Sequence, residues 1–306
     1  MPAFLVSWTW DLSVHWSEMP QTFSVIFAGS PAFAIPSLEA LRQDPSFDVR
    51  LVVSQPDKPV GRKQVLTPPP VSAYAATKGI PCFQPRNINK ELPGESIECD
   101  FLVVVAYGQI LSEELLALPK IAPVNVHASL LPRWRGASPL QHALLAGDAN
   151  TGVSIQKMVK ALDAGDILAQ RTVPIEERET IETLHDKLAT QGALLLIETL
   201  KKPLHPVAQD TGAITVCSKL RREDGKTDLE QMTAEHIDRA VRALVPWPGV
   251  TCPIRGHTVK LLKTSLQEQP ESIALQCAHN TILFVKELQP PGKQAMSATA
   301  WANGIQ

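Results

Sequence analysis

Cys99-Asp100-Phe101-Leu102-Val103-Val104-Val105-Ala106-Tyr107-Gly108 is the stretch on which the fold turns. Phe101 to Ala106 is continuously apolar, as strands are when a parallel sheet is covered on both faces. Upstream of it, FSVIFAGSP (Phe23 to Pro31) is another short apolar run, closed by Gly-Ser-Pro, and Phe33, Leu38 and Leu41 then recur at helical spacing. FDVRLVVSQPD reads as strand and turn, SAYAATKGI as helix and IPCFQP as a short extended piece. Downstream, LSEELLALP is a short helix opened by Ser112, with Glu113 and Glu114 in its first turn, and PVNVHAS is a further strand. Strands alternating with helices predict a doubly wound α/β fold with a mainly parallel sheet, its site at the carboxyl ends of the strands.

Helical spacing continues through SPLQHALLAG and through a long helix that starts at Thr180 to Thr183 and runs to about residue 201. KPLHPVAQDTG, with Pro203, Pro206 and Gly212, then reads as a linker over 203–213. Beyond it, a helix in TAEHIDRAVRAL and short alternating pieces with turn signals predict a small β-barrel over 214–306. Trp247, in the PWPG turn, reads as a packing anchor. The length of 306 residues fits this division into a domain over 21–202 and a smaller one after the linker. Residues 1–20 read as an unstructured leader of the kind an upstream start would add. Trp8, Trp10 and Trp16 crowd there, and no basic region precedes an apolar core as in a signal peptide.

Composition narrows the function. With 44% hydrophobic and 20% charged residues the chain is not of the disordered class, and no stretch reaches the ~18 apolar residues of a membrane span. A net charge of -2 gives no global basic field, so an anionic partner must meet a local patch. Cys82, Cys99, Cys217, Cys252 and Cys277 form an odd set without a C-x-x-C pair or metal spacing, which suggests a reduced cytosolic protein and no metal centre. Gly29 stands alone rather than in G-x-G-x-x-G, which argues against a nicotinamide site.

The densest chemistry is Asn125-Val126-His127-Ala128-Ser129-Leu130-Leu131-Pro132-Arg133-Trp134-Arg135-Gly136. Asn125 and His127 are two apart at the end of a strand, so both side chains share one face. An amide donor beside an imidazole suits a tetrahedral oxyanion in acyl transfer, although a lone histidine at a strand end is also a common structural residue. Ala161-Leu162-Asp163-Ala164-Gly165-Asp166 follows the apolar stretch VSIQKMV. An acid there can fold back on His127, or can simply close a turn.

NVHASLLPRWRGASPLQ followed by GVSIQKMVKALDAGDIL resembles the signature of the folate-dependent formyltransferases. SQPDKPVGR and PWPG resemble the branch of that family acting on methionyl initiator tRNA, and the likeness runs from about Phe23 to the end. The resemblance implies a Rossmann-like formyltransferase domain followed by an OB-like domain that helps hold the tRNA. It implies 10-formyltetrahydrofolate as formyl donor, methionyl initiator tRNA as acceptor, and Asn125, His127 and Asp163 as catalytic residues, without a metal or a covalent nucleophile. Folate contacts match Ser129, Leu130, Leu131 and Pro132, a turn able to offer backbone groups, while Tyr107, Gly108 and Ile110 should flank the pterin.

By the same resemblance the loop from Gln55 to Pro70 meets the tRNA acceptor end through Lys58, Arg62 and Lys63. Lys63-Gln64-Val65 carries less charge than the family's usual continuation, and Ser138 and Ala164 replace the usual alanine and threonine. Lys219, Arg221 and Arg222, with Arg239 and Arg242 on the following helix, suit phosphate contacts or a plain solvated face. A sugar-nucleotide formyltransferase is the nearest rival, and a stiff basic loop suits a tRNA end better. The expectation is a cytoplasmic, monomeric enzyme that binds folate and initiator tRNA and no membrane.

Overall fold

The computed structural model describes residues 22–61, 63–91 and 98–305; the leader read over 1–20 and Arg62 lie outside them. The chain runs β1 (Phe23–Gly29), α1 (Ile35–Gln43), β2 (Phe47–Val53), β3 (Lys58–Val60), β4 (Val65–Thr67), α2 (Pro70–Lys78), β5 (Cys82–Phe83), β6 (Phe101–Val105), α3 (Glu113–Leu116) and β7 (Ala122–His127). It continues through β8 (Arg135–Gly136), α4 (Pro139–Ala146), β9 (Asn150–Lys157), β10 (Ile167–Pro174), α5 (Ile181–Leu200), β11 (Val216–Cys217) and α6 (Ala234–Leu244). The last elements are β12 (Val250–Ile254), β13 (His257–Ser265), β14 (Ile273–Gln276), β15 (Ile282–Gln289), β16 (Met296–Ser297) and α7 (Ala298–Asn303).

The central sheet has seven strands in the order β10-β9-β7-β6-β1-β2-β5. The pairs from β7 to β5 are all parallel, whereas β9 runs antiparallel to β7 and β10 antiparallel to β9. Every residue of β1 and β6 is buried, as their apolar runs predict; Ser24, the polar residue of β1, is satisfied by Asp100. α5 opens on Thr180, whose side chain accepts the Thr183 N–H while the Thr183 hydroxyl accepts the Thr180 N–H, a reciprocal cap that fixes where the helix starts. β10 escaped the sequence reading because Ile167–Pro174 buries only Val173 fully and has no apolar period.

The C-terminal strands form an antiparallel sheet in the order β12-β13-β15-β14, with β16 on β15. Among the described residues no ladder joins β12 to β14, so the OB-like part is an open path of strands rather than a hydrogen-bond-closed barrel. Trp301 on α7 is buried with its ring edge-on to His257. Trp247 is not the anchor expected of it: it is 54% exposed, because the PWPG turn is held by its backbone, with the Gly249 N–H donating to the Leu244 carbonyl.

One contiguous apolar cluster extends from Phe23 to Trp301 and joins both parts. At their junction Asp238 of α6, 1% exposed, accepts from Arg178 Nη1 at 2.9 Å, Arg242 Nε at 3.0 Å and Thr264 Oγ1 at 2.8 Å. Arg242 also donates to the Glu179 carbonyl at 2.9 Å. Arg242 is therefore a structural partner of a buried acid and has no free face for phosphate.

The span 203–213 is not a free spacer. Val207 and Ile167 exchange backbone hydrogen bonds, and the following residues reach β11, which pairs with β8 in parallel, Val216 opposite Arg135 and Cys217 opposite Gly136. Within that span the Val207 N–H has its partner in the Ile167 carbonyl of β10 rather than in solvent.

Candidate active site

β7 carries Asn125 and His127 to the carboxyl edge of the sheet, where the period of two puts them on one face. Asn125 stands opposite Gln156 of β9 in the antiparallel ladder. Among the described residues no partner is recorded for the Asn125 side chain, so its amide is free to donate. His127 is buried. Its Nε2 lies 3.0 Å from the Trp134 carbonyl, and a carbonyl only accepts, so Nε2 carries the hydrogen. Nδ1 is thus the nitrogen that takes up or releases a proton.

Nδ1 faces Asp163 Oδ1 at 3.6 Å. That separation is too long for a hydrogen bond, so Nδ1 keeps capacity for a ligand. Asp163 is held by other donors: Gln156 Nε2 to Oδ1 at 3.0 Å and the Gly136 N–H to Oδ2 at 2.8 Å. The acid has φ +50, a left-handed conformation that costs a non-glycine residue roughly 1 kcal/mol and persists only where the surroundings impose it. Two residues on, a side chain at Gly165 would begin 1.7 Å from the Lys157 carbonyl oxygen, so the turn requires glycine.

The turn after β7 is packed from beneath. Ser129 Oγ donates to the Arg133 carbonyl, Ser154 Oγ donates to the Ser129 carbonyl at 2.7 Å and accepts the Leu131 N–H at 3.0 Å, and Gln170 Nε2 donates to the Leu131 carbonyl at 2.8 Å. The carbonyls of Leu130 and Pro132 accept from the N–H groups of Arg133 and Thr215. The expectation that this turn offers backbone groups is corrected at those atoms, which the protein itself satisfies. The side chains of Ser129 and Leu131 are buried, and only Leu130 and Pro132 keep partial exposure.

At the end of β6 the chain turns through Ala106 at φ +48 and Gly108 at φ +86. Ile110 stands 73% exposed beyond that turn, an apolar side chain at the strand ends. Tyr107 does not present its own ring. It is buried, burial with the Glu91 charge pushes its phenol up to about 12, and its hydroxyl has no partner. Its carbonyl accepts from Ser30 Oγ and Gln55 Nε2, which makes it a strut under the turn rather than an acid or base.

Of the residues expected to meet tRNA, Lys58 and Lys63 are exposed beside the hairpin of β3 and β4, which occupies what read as an irregular loop. Lys219, Arg221 and Arg222 are exposed, with no ion-pair partner among the described residues. Sequence reasoning missed Gln156, although a polar residue at alternate positions of VSIQKMV was a signal, and missed the Trp134 carbonyl, which no side-chain pattern can reveal. The described residues contain no helix long and apolar enough to cross a membrane.

Residues 22–200 match the formyl transferase family model, and residues 219–306 match the model for the formyl transferase C-terminal domain. The chain is 40% identical over 300 residues to the methionyl-tRNA formyltransferase of Bacillus cytotoxicus, covering 92% of this chain and 95% of that one. Among solved structures, the methionyl-tRNA formyltransferase of Clostridium thermocellum superposes with a TM-score of 0.54 at 15% identity, over 90% of this chain and all of that one. An N-formyltransferase of Helicobacter canadensis, in complex with folinic acid and dTDP-3-aminofucose, superposes with a TM-score of 0.64 at 17% identity, over 88% and 100% of the two chains.

Proposed function

This chain belongs to the formyl transferase family, and from that premise we propose that it transfers the formyl group of 10-formyltetrahydrofolate to the α-amino group of methionyl initiator tRNA, with Asn125, His127 and Asp163 as its catalytic residues. The observation that carries the reading is the meeting of the Asn125 amide, a buried imidazole and a nearly buried carboxylate at the end of β7.

The folate supplies an activated formyl carbon. Asn125 donates its amide hydrogen to the formyl oxygen, where negative charge develops as the amine attacks, and preorganised donors of this kind are commonly worth ~10²–10³ in rate. His127, fixed by the Trp134 carbonyl, presents Nδ1 on the same face and stabilises that oxygen in its protonated form. Asp163 holds the ring in register and helps receive the proton that the amine loses as the new C–N bond forms; that proton returns to the departing nitrogen as the old C–N bond breaks. Gly108, Ile110, Leu130 and Pro132 are the residues left open to line the pterin, with Tyr107, Ser129 and Leu131 shaping them from below.

Lys58 and Lys63 on the hairpin, with Arg62 next to Lys63 in the sequence, and Lys219, Arg221 and Arg222 ahead of α6, supply the local positive charge that a tRNA backbone needs in a chain of net charge -2. The division into a catalytic part over 21–202 and a tRNA-holding part over 214–306 belongs to this reading, as do a monomeric state and a cytoplasmic location. The sugar-nucleotide rival shares the fold, so fold alone does not separate the two; the whole-length identity to a methionyl-tRNA enzyme favours tRNA.

The test is one assay of the purified protein with 10-formyltetrahydrofolate, offering methionyl initiator tRNA and an amino-sugar nucleotide in parallel. Formyl-methionyl-tRNA is the expected product; formylation of the sugar alone would overturn the reading.

A further inference from the structure

Gln209 lies in the segment between the two parts, 46 positions from Asp163, and is only 8% exposed. Its side-chain amide is saturated. Nε2 donates to the Asp163 carbonyl at 2.9 Å and to the Gly165 carbonyl at 2.6 Å, while Oε1 accepts from Arg135 Nε at 3.0 Å and Nη2 at 2.8 Å. Two donors and a doubly used acceptor are everything a primary amide offers.

Both ends of this contact lead to the catalytic pair. The carbonyls it grips lie on either side of Ala164, in the turn that holds Asp163 at φ +50. The guanidinium it receives belongs to the loop whose Trp134 carbonyl accepts from His127 and whose Gly136 N–H donates to Asp163. The surrounding segment is stitched to the same loop: Trp134 N–H donates to Thr215 Oγ1 at 2.8 Å, Arg135 N–H to the Thr215 carbonyl at 2.9 Å, and the Cys217 thiol to the Trp134 carbonyl at 3.4 Å.

Resting on the assignment of His127 and Asp163 as catalytic, we infer that Gln209, together with Arg135, is a positioning residue: it fixes the Asp163 turn against the Trp134–Gly136 loop, so that the segment between the domains completes the active site. Glutamate at this place keeps Arg135 as a partner but cannot donate to two carbonyls. Methionine keeps the volume and loses all four contacts. Either change frees the turn of a left-handed acid, and a displacement of about 1 Å at a catalytic group costs roughly 10²-fold.

The experiment compares Gln209→Glu and Gln209→Met in the full chain, with Val207→Ala, an exposed side chain of the same segment, as control. Each is made in the wild-type and the Asp163→Asn background, and read by kcat, KM for 10-formyltetrahydrofolate and thermal midpoint. The expected result is a kcat lowered roughly 10–100-fold by both substitutions, KM for the folate within about twofold, Val207→Ala unchanged, and less than about twofold further loss once Asp163 is already asparagine. Gln209→Glu, which keeps its arginine partner, guards against a variant that merely fails to fold. Wild-type kcat in both variants, a loss carried by KM alone, or the same fold-loss in the Asp163→Asn background would overturn the inference. Should Asp163→Asn itself run at the wild-type rate, the catalytic assignment falls as well; should Asp163→Asn be slow and the Gln209 variants fast, only the inference falls.

Discussion

The Gly136 N–H donates to Asp163 Oδ2 at 2.8 Å across 27 residues of sequence, and this bond ties the loop that orients His127 to the turn that carries its acid. Gly136 has φ +122, and a Cβ there would sit 2.2 Å from the Cys217 carbonyl oxygen. Glycine is required both by conformation and by the approach of β11. Gly136→Ala is expected to part β8 from β11 and lower kcat about 100-fold, measured beside a gel-filtration profile that remains that of folded protein. An alanine variant with full kcat would show that the bond does not position Asp163.

Among the described residues the Asn125 amide has no partner, and it stands at the strand end beside His127. Asn125→Ala is expected to lower kcat by ~10²–10³ with little change in KM for the folate, because the interaction is made only as charge develops on the formyl oxygen. Steady-state kinetics over a range of folate concentrations separates the two constants. A rise in KM at constant kcat would make Asn125 a binding group instead.

Acid sensitivity should trace in part to Glu179. Burial alone would raise its carboxyl, but the Lys187 ammonium and the Thr183 hydroxyl, with the Glu176 N–H, outweigh it and hold the group below its ordinary value of 4.5. A carboxylate depressed in the folded state contributes stability that is fully present above the unfolded value and is lost as pH falls through the folded one. The thermal midpoint of the wild type should therefore drop as pH is lowered below about 4.5. Glu179→Gln should start lower at pH 7, by about 1.5–3 kcal/mol for a lost charged hydrogen bond, and change less over the acid range. Parallel melts of the two proteins from pH 7 to 3.5 check this, and identical slopes would exclude Glu179.

The two sets of cations near α6 should separate cleanly. Asp238→Ala leaves Arg178 and Arg242 facing a buried space without their acid, a change that typically costs about 3–5 kcal/mol, and it should lower the denaturant midpoint strongly. Arg221→Ala with Arg222→Ala touches exposed side chains, so the midpoint should stay within ~0.5 kcal/mol while KM for tRNA rises and its salt dependence flattens. Loss of stability in the arginine pair, or a weakened tRNA KM with unchanged stability in Asp238→Ala, would contradict this division.

The parallel core could be read from the sequence because β6 is apolar at every position and β1 at all but Ser24, and the long helix because Thr180 and Thr183 cap it and leucines repeat behind it. Asn125 and His127 were placed on one face by strand period alone. What could not be read depends on contacts between distant residues. β10 is half exposed and carries no pattern, β3 and β4 pair inside a proline-rich loop, and the turn-like text of 203–213 conceals a buried amide whose partners lie on two other loops. Arg242 looked like a phosphate ligand because the spacing of Arg239 and Arg242, one turn apart on α6, reveals charges and not the acid beneath them. Trp247 looked like an anchor because bulk suggests burial, whereas the backbone of its turn holds that corner.

His127, poised between the Trp134 carbonyl and Asp163, is the residue proposed to carry the chemistry of formyl transfer. Single-turnover transfer from 10-formyltetrahydrofolate to methionyl initiator tRNA, by the wild type and by His127→Ala at saturating concentrations of both substrates, tests it most directly. The account predicts formyl-methionyl-tRNA from the wild type and a rate at least ~10²-fold lower from the variant, with its thermal melt still cooperative. A folded His127→Ala protein that formylates the tRNA at the wild-type rate would contradict it.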